Sequence, residues 1–93
     1  MDNVIITLLF EKHYAPTDLE LPAKLPIDEL EEKMLETLKA MDFERFENTQ
    51  RVKFKFNNVV LDPNKTLLEY GVWDGSYITL LEIGGVENAI NQY

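Results

Sequence analysis

Residues 51–71 read Arg51-Val-Lys-Phe-Lys-Phe-Asn-Asn-Val-Val-Leu-Asp-Pro-Asn-Lys-Thr-Leu-Leu-Glu-Tyr-Gly71, and a short loop leads from them to Ser76-Tyr-Ile-Thr-Leu-Leu-Glu-Ile83. Arg51 to Phe56 alternates basic and apolar residues, the period of a strand with one face on a core. Asn57-Asn58 can adopt positive φ, as a tight hairpin turn requires. Val59 to Leu61 is then a short edge strand, ended by Asp62-Pro63. Thr66 is a natural N-cap for a single turn carrying Leu67, Leu68 and Tyr70, and Gly71 stops it. Asp74-Gly75 signals one more turn before a last strand over Ser76–Ile83.

Upstream, Val4-Ile-Ile-Thr-Leu-Leu-Phe10 is a short, branched, apolar run that predicts a buried central strand over Asn3–Glu11. Lys12 to Pro16 is a turn, and Thr17 to Leu21 alternates Leu19 and Leu21 against Asp18 and Glu20, completing a β-hairpin. Between Pro26 and Asp42 the spacing of Ile27, Leu30, Met34, Leu38 and Met41, widened by Leu35, predicts a helix over Ile27–Met41. Its acids Asp28, Glu29, Glu31 and Glu32 crowd the first turns, where the helix dipole favours them, and they read as a solvated face. Glu29 and Lys33 have the spacing of an i,i+4 pair. Asp42 to Gln50 reads as a polar loop pinned by Phe43 and Phe46. The elements run β-β-α-β-β-turn-β, an α+β arrangement in which one helix covers one side of a mixed sheet. The first and last strands are the most apolar and belong at the sheet centre.

With 93 residues, 45% apolar, the chain is sized for one domain that buries about 60% of its unfolded surface. Residues 1–85 form that domain in this reading, and 86–93 a flexible tail. Cysteine is absent, so packing rather than disulfides must hold the fold. The net charge of −8 disfavours nucleic acid and anionic membranes as partners. No apolar run approaches the roughly 20 residues of a spanning helix, and Met1-Asp2-Asn3 lacks a basic leader. These features predict a cytoplasmic protein that does not insert into a membrane. Ser76 is the only serine and His13 the only histidine, so the common His-paired nucleophiles are missing. Neither enzymatic activity nor a metal or other cofactor is expected.

The order of elements and the Thr66–Gly71 turn resemble the ubiquitin-like β-grasp fold over residues 3 to 83. Lys12-His13-Tyr14 after the first strand, together with Leu68-Glu-Tyr-Gly-Val72 and Asp74-Gly75, resemble the YukD/EsaB family. Those are small bacterial ubiquitin-like proteins associated with type VII (WXG-type) secretion. The resemblance implies a noncovalent accessory or regulator of that machinery, with a protein partner such as the secretion ATPase or another cytoplasmic component. Two departures from ubiquitin matter. Lys53 stands where ubiquitin's third strand shows an exposed apolar residue used in recognition. Gly84-Gly85 follows the last strand almost directly, without a long basic spacer.

Strand alternation sorts the two faces. Val4, Ile6, Leu8, Val52, Phe54, Phe56, Ile78 and Leu80 point to the helix. The opposite face presents Ile5, Thr7 and Leu9, then Tyr77, Thr79 and Leu81, then Arg51, Lys53 and Lys55. From these rows the predicted partner-binding residues are Ile5, Leu9, Arg51, Lys53, Lys55, Tyr77, Thr79 and Leu81, an apolar patch with a basic rim. The plain alternative is a solvated face whose lysine stems cover apolar neighbours. Reversing the charges of Lys53 and Lys55 is expected to abolish binding and leave unfolding unchanged. Gly84-Gly85 ends the strand, with processing after Gly85 to a conjugatable modifier as the alternative. Trp73 is expected to cover the end of the core rather than serve as an exposed recognition aromatic, and His13 to be a surface turn residue.

Overall fold

The structure, a computed structural model, describes residues 2–11 and 15–84. Met1, Lys12 to Tyr14 and Gly85 to Tyr93 lie outside them, and with them the expectations for His13, for processing after Gly85 and for the tail. Two N-terminal strands, β1 (Asn3–Phe10) and β2 (Thr17–Pro22), precede the helix α1 (Ile27–Met41). A one-turn helix α2 (Phe43–Phe46) leads into β3 (Thr49–Phe56), β4 (Val59–Val60) and β5 (Tyr77–Gly84). The strands form one mixed sheet in the order β2-β1-β5-β3-β4. β1 and β5 pair in parallel at its centre, as their apolar character predicts, and the other contacts are antiparallel. This is the ubiquitin-like β-grasp, with α1 against one face.

The core lies between α1 and the inner rows of the sheet. Val4, Ile6, Leu8, Val52, Phe54, Ile78 and Leu80 are buried opposite Ile27, Leu30, Met34 and Leu38. Met41, the last member of the predicted helix stripe, is 69% exposed and does not join the core. Pro26 precedes α1 and offers no capping side chain. The first helical N–H groups are met instead by the chain that returns after β4: Ile27 N–H donates to Lys65 O at 2.8 Å and Asp28 N–H to Pro63 O at 3.1 Å.

Asp42 joins two helices rather than opening a loop. Its N–H bonds Leu38 O to close α1, and its carboxylate accepts Arg45 N–H at 3.3 Å to open α2. Four residues are too few for a periodic signal, which is why α2 was not legible. Phe46 is buried on it, as expected, whereas Phe43 is exposed and does not pin the segment. The Asn57-Asn58 turn has φ of 51° and 65°. Thr66 and Glu69 form a reciprocal capping box, Thr66 Oγ1 accepting Glu69 N–H at 3.1 Å and Glu69 Oε1 accepting Thr66 N–H at 3.0 Å.

Candidate protein-docking surface

The outer sheet face carries three registered rows. Thr7 lies beside Tyr77 and Leu9 beside Thr79 across the parallel pair. Lys53 lies beside Leu81 and Lys55 beside Thr79 across the antiparallel one. The eight predicted residues therefore share one surface. Ile5 (50%) and Tyr77 (62%) are its exposed apolar members, while Leu9, Thr79 and Leu81 are half-buried. On the far side β2 adds acids, with Glu20 beside Ile5 and Asp18 beside Thr7. Asn3 Nδ2 donates to Glu20 and Thr7 Oγ1 to Asp18, at 2.8 and 2.7 Å. Across the strands the face thus grades from acidic through apolar to basic.

Trp73 does not cover the core. It is 73% exposed in the loop before β5. That loop is tied to β1: Asp74 Oδ1 accepts Ile5 N–H at 2.9 Å, and Gly75 N–H donates to Ile5 O at 2.8 Å. Gly75 takes φ +93°, which this return requires. Ser76 Oγ accepts Trp73 N–H at 2.9 Å, so the only serine fixes a turn. The loop that carries Trp73 is joined to β1 at Ile5, and an isolated tryptophan in a glycine-bounded loop gives no sequence signal for its orientation.

Lys53 differs from the expectation as well. Its Nζ lies 3.6 Å from Oε1 of Glu31 on α1, and its side chain is 23% exposed. Glu31 is buried rather than part of a solvated helix face, and its Oε2 accepts Phe54 N–H at 2.9 Å. Burial raises its pKa, while the Phe54 N–H and the Lys53 ammonium oppose the rise. Lys53 is therefore already engaged, and reversing its charge would set two carboxylates together at the sheet edge. Arg51 and Lys55 make no ion pair within 4 Å among the described residues, so they are the available cations of the row. Glu29 and Lys33 are likewise not paired.

Gly84 is the last residue of β5 and pairs with Thr49. A Cβ at Gly84 would meet Asn48 O at 3.4 Å, an ordinary van der Waals contact, so the first glycine of the pair is simply the end of a strand. Among the described residues no group of three or more His, Cys, Asp or Glu is placed to hold a metal ion. No described helix is long and apolar enough to cross a membrane.

The family model described as the WXG100 protein secretion system (Wss) protein YukD matches residues 4–80. The chain belongs to the YukD family. This YukD-family chain superimposes on the ubiquitin-like domain of the Mycobacterium tuberculosis type VII secretion protein ECCD1 with TM-score 0.68. There the identity is 24%, over 87% of this chain and 99% of that one. The EccD5 ubiquitin-like domain of Mycobacterium xenopi gives 0.68 at 18% identity, over 89% and 97%. A chain of the MycP5-free ESX-5 inner membrane complex gives 0.70 at 15% identity, over 99% of this chain and 26% of that one. At such identities the likenesses show a shared fold. No curated protein matches the sequence.

Proposed function

We propose that this YukD-family chain is a cytoplasmic, noncovalent, non-enzymatic accessory of a WXG-type secretion system, docking on a protein component through its outer sheet face. The observation that carries this reading is that Ile5 and Tyr77 are exposed on an outer face whose β3 row also carries Arg51 and Lys55, in a chain of net charge −8. Exposed apolar side chains with cations on the same sheet face suit an interface, and Arg51 and Lys55 suit a partner with an acidic patch. The ESX-5 complex holds a ubiquitin-like domain of the same fold, which favours a secretion component, the ATPase included, as the partner. The strand position of Gly84 supports noncovalent action over conjugation.

Affinity purification of the tagged full chain from its native host tests this. The native chain is expected to recover secretion components, and an Arg51→Glu/Lys55→Glu variant and a Tyr77→Ala/Trp73→Ala variant are expected to lose them without loss of fold. Undiminished recovery by both variants would move the site off this face. An intact mass ending at Gly85, or a ladder of higher-mass adducts, would favour the conjugated modifier instead.

A further inference from the structure

We propose that the outer edge of β2 is a second docking site, which takes an extended peptide as an added antiparallel strand. The peptide alternates basic residues, set against Asp18 and Glu20, with aliphatic ones that enter a cleft beneath α1. The hydrogen bonding of β1 exposes this edge. Ile5 N–H donates to Asp74 Oδ1, Ile5 O accepts Gly75 N–H, and Thr7 N–H donates to Ser76 O at 2.8 Å. Ile5 and Thr7 thus direct their main-chain groups away from β2. The alternate residues Val4, Ile6 and Leu8 direct theirs towards it, where Leu21, Leu19 and Thr17 stand opposite. Asp18 and Glu20, opposite Thr7 and Ile5, therefore send their own N–H and C=O off the sheet. β2 is the last strand on that side, and both residues are exposed. Among the described residues no loop or cap bonds these groups. Such an edge is a template for a further strand.

The two faces of an added strand meet different surroundings, because its side chains keep step with those of β2. Those level with Thr17 and Leu19 point inward. There a cleft of about 340 Å³ lies between α1 and the inner rows of β1 and β2, walled by Phe10, Leu19, Met34, Leu38 and Met41. No charged side chain lines it among the described residues, so it suits aliphatic groups. Met41, which the core leaves exposed, gains a neighbour when the cleft is filled. Side chains level with Asp18 and Glu20 point outward. These carboxylates accept hydrogen bonds from the neutral Thr7 and Asn3, and neither has an ion pair within 4 Å among the described residues. Their charge is unopposed and selects cations. A second copy of β2 laid antiparallel would set acids against acids, which like-charge repulsion disfavours, so a basic peptide is the fitting occupant. Pro22, which has no N–H, ends the template. Two strands, β1 and β5, separate this edge from the row of Arg51 and Lys55, so mutation can distinguish the two sites.

The test titrates the isotope-labelled full chain with an acetylated, amidated heptapeptide of alternating Lys and Val, lysine at both ends, read by amide NMR. The largest shifts are expected at Asp18, Leu19 and Glu20, with exchange slowed at the Asp18 and Glu20 amides. In an antiparallel pair the lysines opposite the acids make the main-chain bonds. Methylating the lysine backbone nitrogens is therefore expected to abolish binding, and replacing the valines by serine to weaken it severely. Asp18→Lys/Glu20→Lys, both at exposed positions, is expected to raise the dissociation constant at least about tenfold, whereas Arg51→Glu/Lys55→Glu should not raise it. Shifts confined to Tyr77 and the β3 row, equal binding of the methylated or the serine peptide, or no binding at millimolar peptide would each overturn the proposal. Light scattering of the free protein at twice the monomer mass, with the Asp18 and Glu20 amides already protected, would assign the edge to a second copy and overturn it as well.

Discussion

Glu31 on α1 and Phe54 on β3 are joined by a hydrogen bond that ties the helix to the edge of the sheet, Oε2 accepting the backbone N–H at 2.9 Å. The bond occupies the place that a longer β4 would fill. Both residues are buried, so the amide has no ready access to water. A lost partner therefore costs the desolvation of the orphaned group, about 1–3 kcal/mol. Glu31→Ala is expected to lower stability by about that amount in urea at pH 7. A change too small to measure would mean that water replaces the carboxylate and that the edge is wetter than it looks.

The same carboxylate has a pH signature. Burial raises its folded-state pKa above the ordinary 4.5, with Phe54 N–H and Lys53 offsetting part of the rise. The folded state therefore binds this proton more tightly than the unfolded state does. The contribution to stability is fully present below the unfolded pKa and is lost as pH rises through the folded one. Glu31→Gln keeps an acceptor for Phe54 N–H but does not titrate. The stability of the native chain minus that of Glu31→Gln is thus expected to be greater at pH 4 than at pH 7. Taking this difference cancels the shared titration of the other carboxylates. A difference that is flat, or that grows with pH, would mean that Lys53 outweighs burial.

Local chemistry made most of the fold legible. The alternation of Arg51 to Phe56, the Asn-Asn turn, the Thr66 cap and the spacing of Ile27 to Leu38 each name an element through one short-range rule, and the structure contains all of them. Central pairing of β1 with β5 followed from their composition. What could not be read depends on contacts distant in sequence. Glu31 looks like one more dipole-favoured acid until the neighbouring edge of β3 is known. Lys53, assigned to the outer face by parity, reaches round that edge to Glu31, since a long flexible stem need not follow its Cβ. The capping of α1 by Pro63 and Lys65 carbonyls needs the chain to return from 35 residues or more downstream. The rows of the outer face were legible through strand parity. The exposure of Trp73 was not, because a loop side chain has no periodicity to orient it.

The Asn57-Asn58 turn predicts an asymmetric response to substitution. Asn58 sits at φ 65°, where a β-branched residue meets steric crowding of about 1–2 kcal/mol and glycine meets none. Asn58→Val is expected to lower the melting temperature by several degrees, at about 4–8 °C per kcal/mol for a domain of this size. Asn58→Gly should stay within a degree or two, roughly the effect of a few tenths of a kcal/mol. Equal losses from both variants would show that the Asn58 side chain, not its backbone, holds the hairpin.

Arg45 on α2 grips Glu82 on β5 with both terminal nitrogens, at 2.9 and 2.8 Å, and its guanidinium lies 4.7 Å from the centre of the Phe46 ring. Thr49 Oγ1 adds a bond of 3.3 Å to the same carboxylate. The two side chains are 24% and 18% exposed, so this pair is drier than a surface ion pair. Coupling above the 0.2–1 kcal/mol typical of exposed pairs is therefore expected, about 1–2 kcal/mol in a double-mutant cycle of Arg45→Ala and Glu82→Ala. Arg45→Lys should recover little of it, because an ammonium cannot match both oxygens in the plane of the carboxylate. Additive single losses would reduce the pair to two independent packing contributions. Full rescue by lysine would show that charge alone, without the fork, anchors α2 to the sheet.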